Sequence, residues 1–163
     1  MTINLVYMAR PIYGGWVSFT SHLCLKYNCD LYKIGKRTEK NKRDYGYGVK
    51  YQNMNINDLI QKNNLFITAI DKHYYEYLDK FPNGTKVVIH DPTELKGKDN
   101  LLAHHLSRFN VIVIRETMKK FLLDNFQKES IFLPHPFYEY PKIEESHNFH
   151  ALSISRIDFD KHT

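Results

Sequence analysis

The chain has 163 residues, 42% of them hydrophobic, 25% charged and 14% aromatic, with a formal net charge of +5. That length fits one domain, or one domain and the beginning of another, and buries roughly 70% of the unfolded surface, so a core needs no disulfide or metal staple. Seven glycines and six prolines exclude a collagen-like or low-complexity chain, and no apolar run approaches the ~20 residues of a membrane span.

The N-terminal residues lack the charged start and long apolar stretch of a secretory signal, so a soluble, cytoplasmic protein is expected. Residues 3–9 predict a short strand, ended by Arg10-Pro11 and Gly14-Gly15. Positions 16, 19, 20 and 23 then share one face of a helix over 16–26. Residues 29–34 predict a second strand, and strand, glycine turn, helix, strand is a βαβ unit, which implies a parallel sheet. Cys24 and Cys29 have no second ligand pair at zinc spacing, and two buried free thiols are expected.

Residues 33–50 hold seven basic residues against Glu39 and Asp44, and the rest of the chain has sixteen of each sign. The positive excess is therefore local, and Tyr32, Tyr45, Tyr47 and Tyr51 are interleaved with it. Cations that neutralise phosphates beside rings that stack on bases suit nucleic acid, and a solvated loop has a similar composition.

Further on, a helical turn over 57–62 opened by Asn57, a strand over 65–70 and an aromatic-rich helix over 72–80 are expected. Residues 82–84 form a turn. A strand over 86–90, a helix over 99–108, a strand over 110–114, a helix over 117–126 and a strand over 130–133 follow. The strands are continuous Val/Ile-rich runs, as strands covered on both faces should be. The fold class is α/β, a doubly wound, mainly parallel, Rossmann-like sheet. Residues 1–141 form this domain and 142–149 a linker. Residues 150–163 are expected to begin a second, truncated α/β domain, or else to add one strand to the edge of the first sheet.

Ligands of such sheets bind beyond the carboxyl ends of the strands. Gly14 and Gly15 lie there, before a helix, where backbone amides can approach an anion. His90 and Asp91 end another strand, and a histidine in that place can donate to a ligand or act as a base near neutral pH. Arg156 and Lys161 span the turn after the last predicted strand, where a guanidinium and an ammonium can clamp a diphosphate or form an exposed charged tail.

Together, the Gly-Gly turn, the strand ending in His90, the Arg115-Glu-Thr-Met-Lys-Lys-Phe helix start and the segment Ser153-Ile-Ser-Arg-Ile-Asp-Phe-Asp-Lys161 resemble the N-terminal half of retaining GT-B glycosyltransferases. The basic loop and the Lys/Asn/Ile/Tyr-rich composition resemble bacteriophage glucosyltransferases that modify DNA. The resemblance implies that Arg156 and Lys161 hold the diphosphate of a nucleoside diphosphate sugar, UDP-glucose in the first instance. It implies that Gly14 and Gly15 let the backbone approach the donor, and that His90 touches the transferred sugar. Lys36, Arg37, Lys40, Lys42 and Arg43 would meet acceptor DNA. No cofactor and no metal is implied, and Asp158-Phe-Asp160 is read as turn. His162 stands where the family usually has glycine. The chain alone is expected to be inactive, with a C-terminal domain or partner chain to complete it. A non-catalytic nucleic-acid-binding module and one half of a split enzyme are the alternatives.

Overall fold

The computed structural model describes residues 2–10, 14–34, 48–97 and 100–139. Seven strands form one parallel sheet: β1 (Asn4–Met8), β2 (Asp30–Ile34), β3 (Gln52–Met54), β4 (Leu65–Ile70), β5 (Lys86–Ile89), β6 (Asn110–Val113) and β7 (Ile131–Phe132). Their spatial order is β3-β2-β1-β4-β5-β6-β7, and every neighbouring pair is parallel. This is a Rossmann-like α/β arrangement, as the run of continuous apolar strands predicts. All six residues of β4 are buried, so both of its faces are covered.

Helix α1 (Gly15–Tyr27) connects β1 to β2, and the short α2 (Ile56–Leu59) follows β3. A 3-10 helix (Lys72–Lys80) joins β4 to β5. A second one (Pro92–Leu95), α3 (Leu101–His105) and a 3-10 turn (Leu106–Arg108) lead to β6. Helix α4 (Glu116–Phe126) leads to β7. The stretch 72–80 is 3-10 instead of α-helical, though the Asp71 side chain caps it by accepting from the His73 N–H. Asn55, not Asn57, caps α2, through its side chain and the Asp58 N–H. Helix α1 stops where Asn28 turns left-handed at φ 49° and donates to the Cys24 carbonyl.

Two apolar clusters lie on the two faces of the sheet. One contains Ile56 and Leu59 of α2, Tyr74 and Leu78, Leu102 and Leu106, and Met118 and Leu122 of α4. The other lies under α1 and contains Leu5, Tyr7, Val17, Phe19, Leu23, Phe66 and Val88. Both cysteines are free but only half-buried, which corrects the expectation of two buried thiols. They close the end of α1, where the Cys24 thiol meets the Cys29 carbonyl at 3.1 Å. Burial raises the Cys29 thiol to about 11. The predicted strand over 150–155, the linker and the second domain lie outside the described residues.

Candidate functional site

The strand order reverses between β1 and β4, and in open α/β sheets such a place is where ligands gather. Gly14, just before α1, adopts φ 95° and ψ −171°, a conformation open in practice to glycine alone. A Cβ on Gly14 or Gly15 would meet no described atom within 4 Å, so the backbone angle and not crowding calls for glycine at 14. No described side chain caps the first amides of α1, and its first turn carries no acid. Among the described residues, none in the first turn compensates the positive end of the helix dipole. Across the crevice, the Asp71 carboxylate accepts from the Arg10 and His73 backbone N–H groups, each at 2.8 Å. The Arg10 guanidinium lies 3.6 Å from it.

A polar network sits beneath this crevice because β4 carries one residue too many. Val6 pairs with Ile67 and Tyr7 with Ala69, which leaves Thr68 as the extra residue of a bulge. The β4–β5 register ends at Ile67 and Val87, just before it. The Thr68 carbonyl is thereby released from the ladder and accepts from His90 Nε2 at 2.7 Å. Its hydroxyl lies 2.8 Å from that of Thr20, and the Trp16 and Val6 carbonyls serve the pair as acceptors at 2.8 and 3.3 Å. Thr20 and Thr68 are fully buried and His90 is 7% exposed.

A carbonyl only accepts, so His90 Nε2 carries the proton and Nδ1 the lone pair. Burial lowers the His90 pKa to about 4, against the opposing pull of the Thr68 hydrogen bond, with His135 and Arg115 lowering it further. His90 is therefore neutral at physiological pH, able to accept a hydrogen bond through Nδ1 but weak as a base. Its ring meets the edge of Phe19 at 5.1 Å between centroids and lies 6.3 Å from Trp16.

The next turn adds a carboxyl. The His90 backbone N–H lies 3.2 and 3.4 Å from the two Glu94 oxygens. Burial raises Glu94 to about 8, with the neighbouring His90 N–H opposing. Beside Phe19, His135 stands edge-on to His22 at 5.4 Å, and Phe137 covers it at 4.7 Å. His22, which reads as solvated helix surface in the sequence, is half-buried by these contacts. Arg115 and Asp91, at neighbouring strand ends, are 3.9 Å apart.

Three expected site residues, Gly14, Gly15 and His90, meet around this crevice. Arg156 and Lys161, and Lys36, Arg37, Lys40, Lys42 and Arg43, lie outside the described residues. Within the basic window Lys33 is a correction. It is 3% exposed on β2, with its ammonium 5.7 Å from the Tyr51 ring, so it adds nothing to an open basic surface. Tyr32 belongs to the core, with the Lys62 ammonium 4.7 Å above it, and Tyr51 packs against the α1-side cluster. Neither ring is free to stack on a base. Trp16, Thr20, Thr68, Glu94 and His135 are the site residues the sequence does not single out. Only a threonine interrupting the apolar run of β4 hints at them.

Among the described residues no group of histidines, cysteines and carboxylates is placed to hold a metal, and no helix is long and apolar enough to cross a membrane. No family model, curated protein or solved structure matches the chain.

Proposed function

We propose that the chain is the acceptor-side part of a glycosyltransferase of the GT-B type. It would help move a hexose from a nucleoside diphosphate sugar, UDP-glucose in the first instance, to a hydroxyl, with modified cytosine in bacteriophage DNA the favoured acceptor. The observation that carries this reading is the meeting of the uncapped start of α1 and the neutral His90 at one crevice of a parallel sheet. Helix amides suit a diphosphate, and a histidine with a free acceptor nitrogen suits a sugar hydroxyl. His90, held as a weak base, is assigned to hydrogen-bond the sugar through Nδ1 and not to take the acceptor proton. The anomeric carbon–phosphate oxygen bond breaks as the bond to the acceptor oxygen forms, and the acceptor hydroxyl's proton passes to the departing diphosphate. The charge left on the departing diphosphate is met by the α1 amides and, in this reading, by Arg156 and Lys161. Lys36, Arg37, Lys40, Lys42 and Arg43 would follow the DNA backbone.

Transfer and binding test it together. The chain should bind duplex DNA with an affinity that falls by ~0.9 log unit per log unit of salt for each phosphate contacted. Replacing Lys36, Lys40 and Lys42 together should flatten that slope. Radiolabelled UDP-glucose should leave hydroxymethylcytosine DNA unlabelled with the 163-residue chain alone. Label should appear once a nucleotide-sugar-binding domain or partner chain is supplied. No transfer in either setting, with a salt slope indifferent to the lysines, would overturn the reading.

A further inference from the structure

After β7 the chain turns back toward α1. β7 lies at one end of the described sheet, with three strands between it and β1, yet its continuation reaches α1 within five residues. Leu133 donates its N–H to the Val113 carbonyl at 2.8 Å, and its side chain packs against the cluster under α1. His135 then stands nearly perpendicular to two rings of α1, Phe19 at 5.5 Å and His22 at 5.4 Å between centroids. Phe137 lies against His135 at 4.7 Å, with 33° between the planes, and 6.2 Å from His22. Its N–H donates to the His135 carbonyl at 2.9 Å, and Pro134 and Pro136 stiffen the main chain on either side of the histidine.

We propose that residues 133–137 are a strap held on α1 by a clasp of four rings, His135 and Phe137 against Phe19 and His22, and that acid opens it. The inference does not depend on sugar transfer. Phe19 also touches His90 at 5.1 Å, so the closed strap steadies the helix that forms one wall of the crevice.

The release lies in His135 itself. Its Nδ1 is buried and has no hydrogen-bond partner among the described residues. A neutral imidazole with its proton on Nε2 leaves there only an unused lone pair. An imidazolium donates from both nitrogens, so in the closed clasp it would bury an unpaired N–H together with a charge. The titratable groups that face it are His22 from α1 and His90 from the end of β5, with Arg115 behind His90. None of these offers a negative partner, and the Phe19 and Phe137 rings carry no charge. Burial first, and His22 second, hold the His135 pKa below its ordinary 6.5. The open strap therefore binds the proton more tightly than the closed one. Closure is complete at neutral pH and above, and weakens as pH falls below 6.5.

NOE contacts between the Phe137 and His22 rings read the clasp in the 163-residue chain and need no ligand. They are expected at pH 8 and should be lost by pH 5, while the contact between Phe19 and His90 persists as the mark of an intact fold. His135→Phe keeps a ring in place but takes up no proton, so its Phe137–His22 contacts should survive at pH 5. His135→Ala should lack them at both pH values. Absence of the contacts in wild type at pH 8, or their survival at pH 5, would overturn the proposal. So would their loss in His135→Phe at pH 5, or a loss in wild type that comes only together with the Phe19–His90 contact. The comparison of wild type with His135→Phe decides the matter even if the alanine variant does not fold.

Discussion

The two faces of the sheet are filled differently. Under α2, α3, α4 and the 3-10 helices the buried residues are Ile, Leu, Val, Met, Phe and two tyrosines. Under α1 the apolar cluster is smaller and shares its space with buried polar groups. Thr20 and Ser21 lie on α1, Thr68 reaches toward Thr20, His90 meets Phe19, and Lys33 lies under Tyr51. Thr85, the other buried polar residue described, only closes a turn onto the Pro82 carbonyl at 2.7 Å. The comparison separates two tasks. The first face supplies packing energy, and the α1 face gives part of its packing to buried polar groups, among which Thr20, Thr68 and His90 are hydrogen-bonded.

Four measurements can break or sharpen that division. The largest effect should come from the apolar face. Phe81→Ala, at a side chain 1% exposed, should cost about 3–5 kcal/mol in urea unfolding. The Trp16 emission of the still-folded fraction should be unchanged. A cost below ~1 kcal/mol would mean that this face is not the main store of stability.

On the α1 face, acid should act through His90. The unfolded chain binds this proton near 6.5 and the folded chain at about 4. Its contribution is therefore complete above pH 6.5 and lost as pH falls toward 4, a difference of about 3 kcal/mol. Subtracting the profile of His90→Gln from that of wild type, by thermal unfolding at each pH, isolates this limb. Glu94 has the opposite sign. Its folded pKa of about 8 lies above the ordinary value of 4.5, so its contribution is complete below pH 4.5 and lost as pH rises through 8. The ionised form of Glu94 is thus the form the fold stabilises less.

Thr68→Val keeps the shape of the bulge and removes its hydroxyl. It should cost about 1–3 kcal/mol, while adding Thr20→Val should cost less than the sum of the two single changes, since both partners then leave together. Additive costs would mean that the two hydroxyls, 2.8 Å apart, do not act as a pair. The smallest effect is expected at Arg10→Ala. The guanidinium is 64% exposed and 3.6 Å from Asp71, and loss of such a pair should shift stability by no more than ~0.5 kcal/mol.

The elements best read from the sequence are those whose local pattern agrees with their burial. The run 65–70 is continuous and apolar because β4 is central, and its bounds coincide with the strand. β3 escapes notice because Gln52-Asn53-Met54 is short and polar, with two of its residues exposed. Its pairing with β2 is decided by main-chain hydrogen bonds that any side chain permits. Residues 72–80 show helical periodicity, but the distinction between α and 3-10 is settled by packing at a few ångströms and not by pattern. At the site, His90 and the two glycines are legible because strand ends and glycine turns leave local marks. Trp16 and Thr68 are not, since each gains its role from a partner far along the chain. Trp16 in particular reads as one more apolar position on α1, and only the fold sets its ring 6.3 Å from that of His90.

One further consequence concerns the order in which this protein is made. β1, made before the other six strands of the sheet, occupies its middle, with β2 on one side and β4 on the other. Asn4 finds Asp30 early but Leu65 only about sixty residues later. The stretch Leu5 to Met8, wholly buried in the folded protein, must therefore stay half-covered until β4 has been made. Parallel pairings of this reach are slow to close and open to wrong partners meanwhile. Trimming a few residues from the start of the chain would not shorten an edge of the sheet but remove its centre, dividing β2 and β3 from β4 to β7.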